Sequence, residues 1–244
     1  MAVDPAAAGV SVPGDAALGS SALINPVYQA LTGAHANLAE VKSQVRRYPA
    51  EVAPFFGLPD DPTEQDWTDA AELLGVGHSG ALIRAELPVP ASFKVEQVFG
   101  LVQFVAPAGF GVEEPEAVEL GPDDVPELLA LTELTEPGPF RSRTIETGRY
   151  LGVRRNGELI AMGGERFRAP GHVEISAVCT HPAYRGQGLA SRLIRAVAAG
   201  IEHEGDRPFL HTGATNTTAI RLYESLGFTV SNRMQVTIVE PLGR

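Results

Sequence analysis

The sequence predicts an α/β (α+β) fold in which short strands and helices alternate along the chain. Three observations lead to it. The first is the stretch from Glu174 to Glu204. Ile175, Val178, Cys179 and Thr180 form an apolar, β-branched strand, and His181-Pro182 halts it because proline offers no N–H to a ladder. Glycines follow at Gly186 and Gly188, and then a helix with Leu189, Leu193, Ile194 and Val197 on one face. The second is Asn156-Gly157 between two strand-like runs, a strong hairpin signal because both residues accept positive φ. The third is a helix from Asn216 to Leu226, closed by Gly227, with strands FLHT before it and FTV after it.

In chain order, residues 1–22 are rich in Ala, Gly, Pro and Ser without periodicity and read as a flexible tail. Asn25-Pro26 starts a helix, with Leu31, Ala34, Leu38 and Val41 at helical spacing. Thr63 to Leu74 is a second helix, ending at Gly75. Ala81–Leu87 and Lys94–Val105 have strand character, and VFGLVQFV is apolar enough for an interior strand. This first half carries no phosphate loop and no concentrated polar cluster; Trp67 and His78 stand alone and read as packing or surface. The Pro- and Gly-rich run at 107–115 marks the expected boundary between a 23–110 α+β domain and a 116–244 domain. Beyond it come a strand at Ala117–Leu120, a helix capped by Asp123, and a short helix around Phe140–Glu146. Strands at Tyr150–Arg155 and Glu158–Phe167 follow, with Gly163-Gly164 suggesting a bulge or a close backbone approach. The chain is expected to close with two strands, Phe228–Val230 and Arg233–Val239, in a hairpin near Ser231-Asn232.

Composition narrows the function classes. With 244 residues and 44% apolar content, the chain can build one large core or two small ones. A net charge of -11 argues against nonspecific nucleic-acid binding, since phosphates would be repelled. The same charge mildly favours a cationic or amine-bearing substrate, although a solubilising surface is the commoner meaning. Cys179 is the single cysteine, so no intrachain disulfide can form, and on a buried strand it reads as packing. No apolar run is long enough to span a bilayer, and no basic segment precedes an apolar one at the start. A cytoplasmic protein without a membrane partner is expected.

The glycine turn carries the chemistry. Glycines let a backbone approach a ligand closely, and the first N–H groups of a helix lack intrahelical partners. Those donors and the positive end of the helix dipole suit a diphosphate. A nucleotide P-loop would need Lys and Ser/Thr after the last glycine, where Leu189-Ala190 stand, and the three-glycine dinucleotide fingerprint is incomplete. Arg185-x-x-Gly188-x-Ala190 resembles the pyrophosphate motif of the GNAT superfamily of N-acetyltransferases. Asn216-x-x-Ala219 with Tyr223-Glu224-Ser225-Leu226-Gly227-Phe228 is similar to the closing helix of the same family. The two motifs occur in the family's order and spacing. The resemblance covers residues from about 117 onward; the first half is either a degenerate copy of the same fold or an extension of it.

The resemblance implies a GNAT fold, a mixed and mostly antiparallel sheet flanked by helices, with acetyl-CoA as co-substrate and no metal. It implies that the backbone of Val178, Cys179 and Thr180 pairs with the pantetheine arm and holds the acetyl carbonyl. Arg185, Gly186, Gln187, Gly188, Leu189, Ala190 and Ser191 would cradle the pyrophosphate, Asn216 would contact pantetheine, and Tyr223 would stand near the sulfur. Attack of a neutral amine on a thioester builds an oxyanion for backbone donors and expels a thiolate that a phenol can protonate, so Tyr223 is the general-acid candidate. Glu174 and His211 are the two candidate bases. The implied activity is direct acetyl transfer in a ternary complex to a primary amine, on a small molecule, peptide or protein. Alternatives are a longer acyl chain, a glycine-like acceptor or a non-catalytic acyl-CoA-binding module, and the first half is expected to shape the acceptor side or a homodimer surface.

Overall fold

A computed structural model describes residues 21–243. Except for its last two residues, the tail expected at 1–22 lies outside the described residues. Pro26 opens α1 (Pro26–Thr32), where a missing N–H costs nothing. Asn25 does not cap this helix through its side chain; its Nδ2 donates to the Leu58 carbonyl and Asp60 Oδ1, both at 2.9 Å. The helical spacing expected out to Val41 ends early. Gly33 closes the helix onto Gln29 and Ala30, residues Ala36–Leu38 form a single 3-10 turn, and Val41 lies in β1 (Glu40–Lys42). With β2 (Val45–Arg47) and β3 (Phe56–Gly57), β1 forms a small antiparallel sheet. Helix α2 (Glu64–Leu74) begins with a reciprocal capping box between Thr63 and Asp66, and Gly75 ends it.

The main sheet has eight strands: β4 (Gly80–Arg84), β5 (Phe93–Val105), β6 (Ala117–Leu120), β7 (Tyr150–Arg155), β8 (Glu158–Ala169), β9 (His172–Thr180), β10 (Arg207–Gly213) and β11 (Thr229–Pro241). Their order is β4-β11-β5-β10-β9-β8-β7-β6, and only β9 and β10 are parallel. Between these strands lie α3 (Val125–Thr135), α4 (Leu189–His203) and α5 (Thr217–Ser225). Asn156 and Gly157 both take positive φ, 54° and 87°, as their hairpin demands. Asp124, not Asp123, stands at the start of α3, and its carboxylate takes the Gly121 N–H at 2.8 Å. The short helix expected around Phe140–Glu146 is a 3-10 turn at Thr144–Thr147.

The closing hairpin is a correction. No turn occurs at Ser231-Asn232; β11 is one strand with a bulge between Val230 and Asn232. Its partner comes from the first half of the chain. Strand β5 pairs with β11 from Phe93 to Val105 and with β10 from Leu101 to Val105, so it fills the interior position. The apolar run VFGLVQFV predicts a strand buried on both faces; Leu101–Val105 are buried, whereas Val98 and Phe99 are exposed, and which strands flank the run depends on non-local pairing that no local pattern encodes. The sheet therefore runs across the boundary expected at 107–115, with β4 and β5 before it and their partners after it. The boundary segment is itself fastened to α4, where Glu202 accepts the N–H groups of Phe110 and Gly111 at 3.0 and 2.9 Å. The first half extends the one large sheet.

Strand alternation divides the core. Val102, Phe104 and Leu210 face α4 with Leu193, Ile194 and Val197, all buried. Leu101, Val105 and Phe209 point the other way, to Leu23, Val27 and Leu31. Within that second layer His35 is buried, with its Nδ1 2.7 Å from the Tyr48 hydroxyl. Burial lowers its pKa from 6.5 to about 4, with Arg168 acting the same way. The folded state thus disfavours the charged ring. The resulting stabilisation is complete above pH 6.5 and is lost as pH falls toward 4. At about 1.4 kcal/mol per tenfold change in proton affinity, the loss reaches about 3 kcal/mol. Urea unfolding at pH 7 and pH 4.5 should show a fall in stability that His35→Gln largely removes; an equal fall in the variant would overturn this reading.

Candidate active site

The parallel pair β9 and β10 holds together only at its beginning. His172, Val173 and Glu174 pair with Arg207, Pro208 and Phe209, and then the strands part. Ile175–Thr180 keeps β8 as a neighbour on one side and has no strand on the other. Beyond Phe209, β10 stays with β5. A bulge in β9 accompanies the split: Met162 faces Cys179 but Gly164 faces Ser176, and Ala177 takes φ 53°. The split opens into a cavity of about 1220 Å³.

The glycine turn forms one end of that cavity. Gly186 and Gly188 have φ values of 81° and 75°, and a Cβ on either would meet nothing within 4 Å. Helix α4 starts at Leu189 without a side-chain cap, and its first backbone bond to Gly188 is made by Arg192. The N–H groups of Leu189, Ala190 and Ser191 are left without intrahelical acceptors. Of the residues singled out from the sequence, Val178, Cys179, Thr180, Arg185, Gly186, Gly188, Leu189, Ala190, Ser191, Asn216, Tyr223 and His211 line the cavity. Gln187 is exposed and does not line it. Asn216 spends Oδ1 on the Ala219 N–H, at 3.1 Å, as the cap of α5.

Glu174 and His211 are hydrogen bonded to each other. Glu174 is fully buried inside β9. Its Oε1 lies 2.7 Å from His211 Nδ1, and Arg166 grips both carboxylate oxygens at 2.7 and 2.8 Å. Burial would raise the carboxyl pKa, but Arg166 and then His211 outweigh it and hold it at about 2. The other imidazole nitrogen, Nε2, lies 3.0 Å from Gln103 Nε2, which also donates to the Leu23 carbonyl at 3.0 Å. The contacts assign the proton to Nδ1 and the lone pair to Nε2. Asn232 completes the chain by donating to Gln103 Oε1 at 2.6 Å.

Tyr223 packs against Phe104 and Phe228, with ring centroids 5.7 and 5.9 Å away. Burial and then Glu174 raise its pKa to about 12, so the phenol keeps its proton at neutral pH. The Cys179 thiol is pushed up to about 11 by burial, which disfavours the thiolate a nucleophile needs. Gly163 and Gly164 leave no room to spare: a Cβ on Gly163 would lie 3.3 Å from Val178, and one on Gly164 would run into the Tyr150 ring at 2.3 Å.

A family model described as FR47-like protein matches residues 150–236. A solved structure from Novosphingobium aromaticivorans, assigned to the acetyltransferases of the GNAT family, is 39% identical. The match covers 92% of this chain and 100% of that one, with a TM-score of 0.83. The chain belongs to the GNAT family of acetyltransferases. A GCN5-related N-acetyltransferase from Kribbella flavida shares the fold at 12% identity, with a TM-score of 0.60 over 92% of this chain and 98% of its own. A protein of unknown function from Staphylococcus epidermidis does so at 12% and 0.52, over 83% and 93%. No match was found among curated proteins.

GNAT acetyltransferases use acetyl-CoA, and the residues here fit it. The open space over Gly186 and Gly188 admits a diphosphate against free N–H groups. The buried Thr180 hydroxyl has no hydrogen-bond partner, and it lies on the unpaired edge of β9 where an extended amide arm would run. Among the described residues, no group of three or more His, Cys, Asp or Glu is placed to hold a metal ion, and no helix is long and apolar enough to cross a membrane.

Several residues of this GNAT site escaped the sequence reading. Arg166 and Gln103 hold the buried network, and Phe55, Ile83, Phe99 and Leu101 from the first half line the cavity. Gln103 did leave a trace, as the one polar side chain within VFGLVQFV. Arg166 left none, because an arginine on a strand ordinarily faces solvent.

Proposed function

We propose that this GNAT chain transfers the acetyl group of acetyl-CoA to a primary amine by direct attack in a ternary complex. The split between β9 and β10, opening beside the Gly186–Ser191 turn with Tyr223 on its wall, is the observation that supports this reading. The free N–H groups at the start of α4 hold the diphosphate. Backbone donors on the unpaired edge of β9, near the bulge at Ala177, meet the negative charge that develops on the acetyl oxygen. Tyr223 supplies the proton that the departing thiolate needs.

The two candidate bases, Glu174 and His211, divide the remaining work. A carboxyl held at about 2 by Arg166 is too weak a base to draw a proton from an amine. Glu174 instead fixes the His211 tautomer, leaving the Nε2 lone pair as the proton acceptor once the Gln103 amide yields to substrate or water. His211→Gln should then lower kcat by roughly 100-fold, the lower range for a positioned base, with acetyl-CoA affinity near that of the parent. A kcat within about threefold of the parent would pass the base role to solvent.

Calorimetry with acetyl-CoA, followed by thiol release in the presence of amines, tests the whole reading. Binding without transfer to any amine would favour the non-catalytic module, and no binding would end the assignment. Tyr223→Phe is expected to lower kcat by roughly 100-fold, the lower range for a positioned acid, with acetyl-CoA affinity within about threefold of the parent. Loss of affinity in step with kcat would make Tyr223 a packing residue.

A further inference from the structure

Resting on the acetyl-transfer reading, we infer that the acceptor is an amine on an apolar body, carrying a carboxylate near the amine carbon that meets Arg141. The cavity has two unlike ends. One is the cofactor end at the glycine turn. The other is floored by side chains from β4, β5 and β11: Ile83, Phe99, Leu101, Val236 and Ile238, with Phe55 beside them. Phe99 is 40% exposed on this floor although it is a large aromatic, so apolar surface there stands uncovered. An acceptor with an apolar body would bury it.

The charges on the wall narrow the class further. They are Arg141, Arg166, Arg185 and one carboxylate, Glu136. Arg166 is neutralised by Glu174, and Arg185 belongs to the phosphate turn. Arg141 is left over: its backbone N–H donates to the Thr144 hydroxyl oxygen at 2.7 Å, and among the described residues its guanidinium makes no ion pair or hydrogen bond. The loop that bears it is held in place, because Arg143 N–H donates to the Glu51 carbonyl at 2.9 Å and Thr144 Oγ1 to that of Val52 at 2.6 Å. The loop leaves the C-terminal end of α3 at Thr135, which lies close enough to Cys179 of β9 to hydrogen-bond its thiol, so the loop begins beside that strand. A site for polyamines or aminoglycosides would present several unpaired carboxylates to several ammonium groups. With Arg166 and Arg185 accounted for, this wall offers one guanidinium and a single carboxylate, too few acids for a polycation, in spite of a net charge of -11 for the whole chain.

The test compares L-phenylalanine, phenethylamine (the same ring and amine without the carboxylate) and spermidine as acceptors, with acetyl-CoA binding measured separately by calorimetry. The expected order in kcat/KM is phenylalanine, phenethylamine, spermidine. The first step should be about tenfold, the scale of a charge-assisted hydrogen bond. Arg141→Gln should raise KM for phenylalanine and bring its kcat/KM close to that of phenethylamine, and Arg141→Lys should restore part of the preference. Spermidine as the best acceptor, or an Arg141→Gln effect equal for both aromatic amines, would overturn the inference. So would faster transfer from phenylacetyl-CoA to glycine, which would assign the apolar floor to the acyl chain. If acetyl-CoA binds and none of the three amines is acetylated, the acceptor class is wrong while the cofactor site stands. If acetyl-CoA does not bind, the transferase reading itself has failed.

Discussion

Gly188→Glu is expected to weaken acetyl-CoA binding by at least about 100-fold. Two effects separate cleanly at this position. Gly188 has φ 75°, so any side chain costs about 1 kcal/mol of backbone strain. The space over it is open, with no atom within 4 Å of a built Cβ, so the protein itself offers no clash. What remains is charge: a carboxylate placed about 4 Å from a diphosphate oxygen opposes it by roughly 4 kcal/mol per pair at an effective dielectric near 20. Gly188→Ala carries the strain without the charge and should lose less than about tenfold. Calorimetry at two salt concentrations would check both, since the glutamate penalty should shrink as salt rises. Equal affinities in the two variants, or a parental affinity in Gly188→Glu, would move the diphosphate elsewhere.

Arg166→Ala is expected to destabilise the fold by about 3–5 kcal/mol, the cost of leaving a buried charge without its partner. Glu174 is wholly buried, and its carboxylate survives there because Arg166 donates two hydrogen bonds to it. The guanidinium also lies over the rings of Phe55 and Phe167, at 5.2 and 4.6 Å, so packing is lost as well. The sign of the pH dependence is diagnostic. In the parent, a carboxyl held at about 2 against 4.5 contributes stability that is present above pH 4.5 and fades as pH falls toward 2. Without Arg166, burial dominates and raises the carboxyl pKa. Its contribution is then fully present below 4.5 and is lost as pH rises. Urea unfolding at pH 4 and pH 7 would show the variant relatively better off at the lower pH. Adding Glu174→Gln to the variant should recover part of the loss, since a neutral amide needs no cation. A variant within about 1 kcal/mol of the parent would show that the pair contributes little.

Most local structure was legible because it rests on local causes. The capping box at Thr63, the Asn156-Gly157 turn and the strand–turn–helix at Glu174–Glu204 follow from residues a few positions apart. The first-half helix is shorter than its apolar spacing predicts, because that spacing continues past Gly33, where the backbone turns. The roles of Glu174 and His211 are not local: the sequence offers each as a separate candidate, and only the pairing of β8, β9, β10 and β5 brings Arg166 and Gln103 to them.

The sequence by itself determined where the backbone must turn, where a helix must start with open amides, and that a phosphate-binding turn and a closing helix stand at family spacing. Those properties depend on φ restrictions, missing donors and short-range periodicity, which each residue carries into any fold. Only the tertiary structure decided that β5 would lie between β10 and β11, that the first half would floor the acceptor end, and that Glu174 would be a tethered carboxylate. Those outcomes depend on which strand edge is left free and which charge is brought within 3 Å of another, and neither is a property of neighbours in sequence.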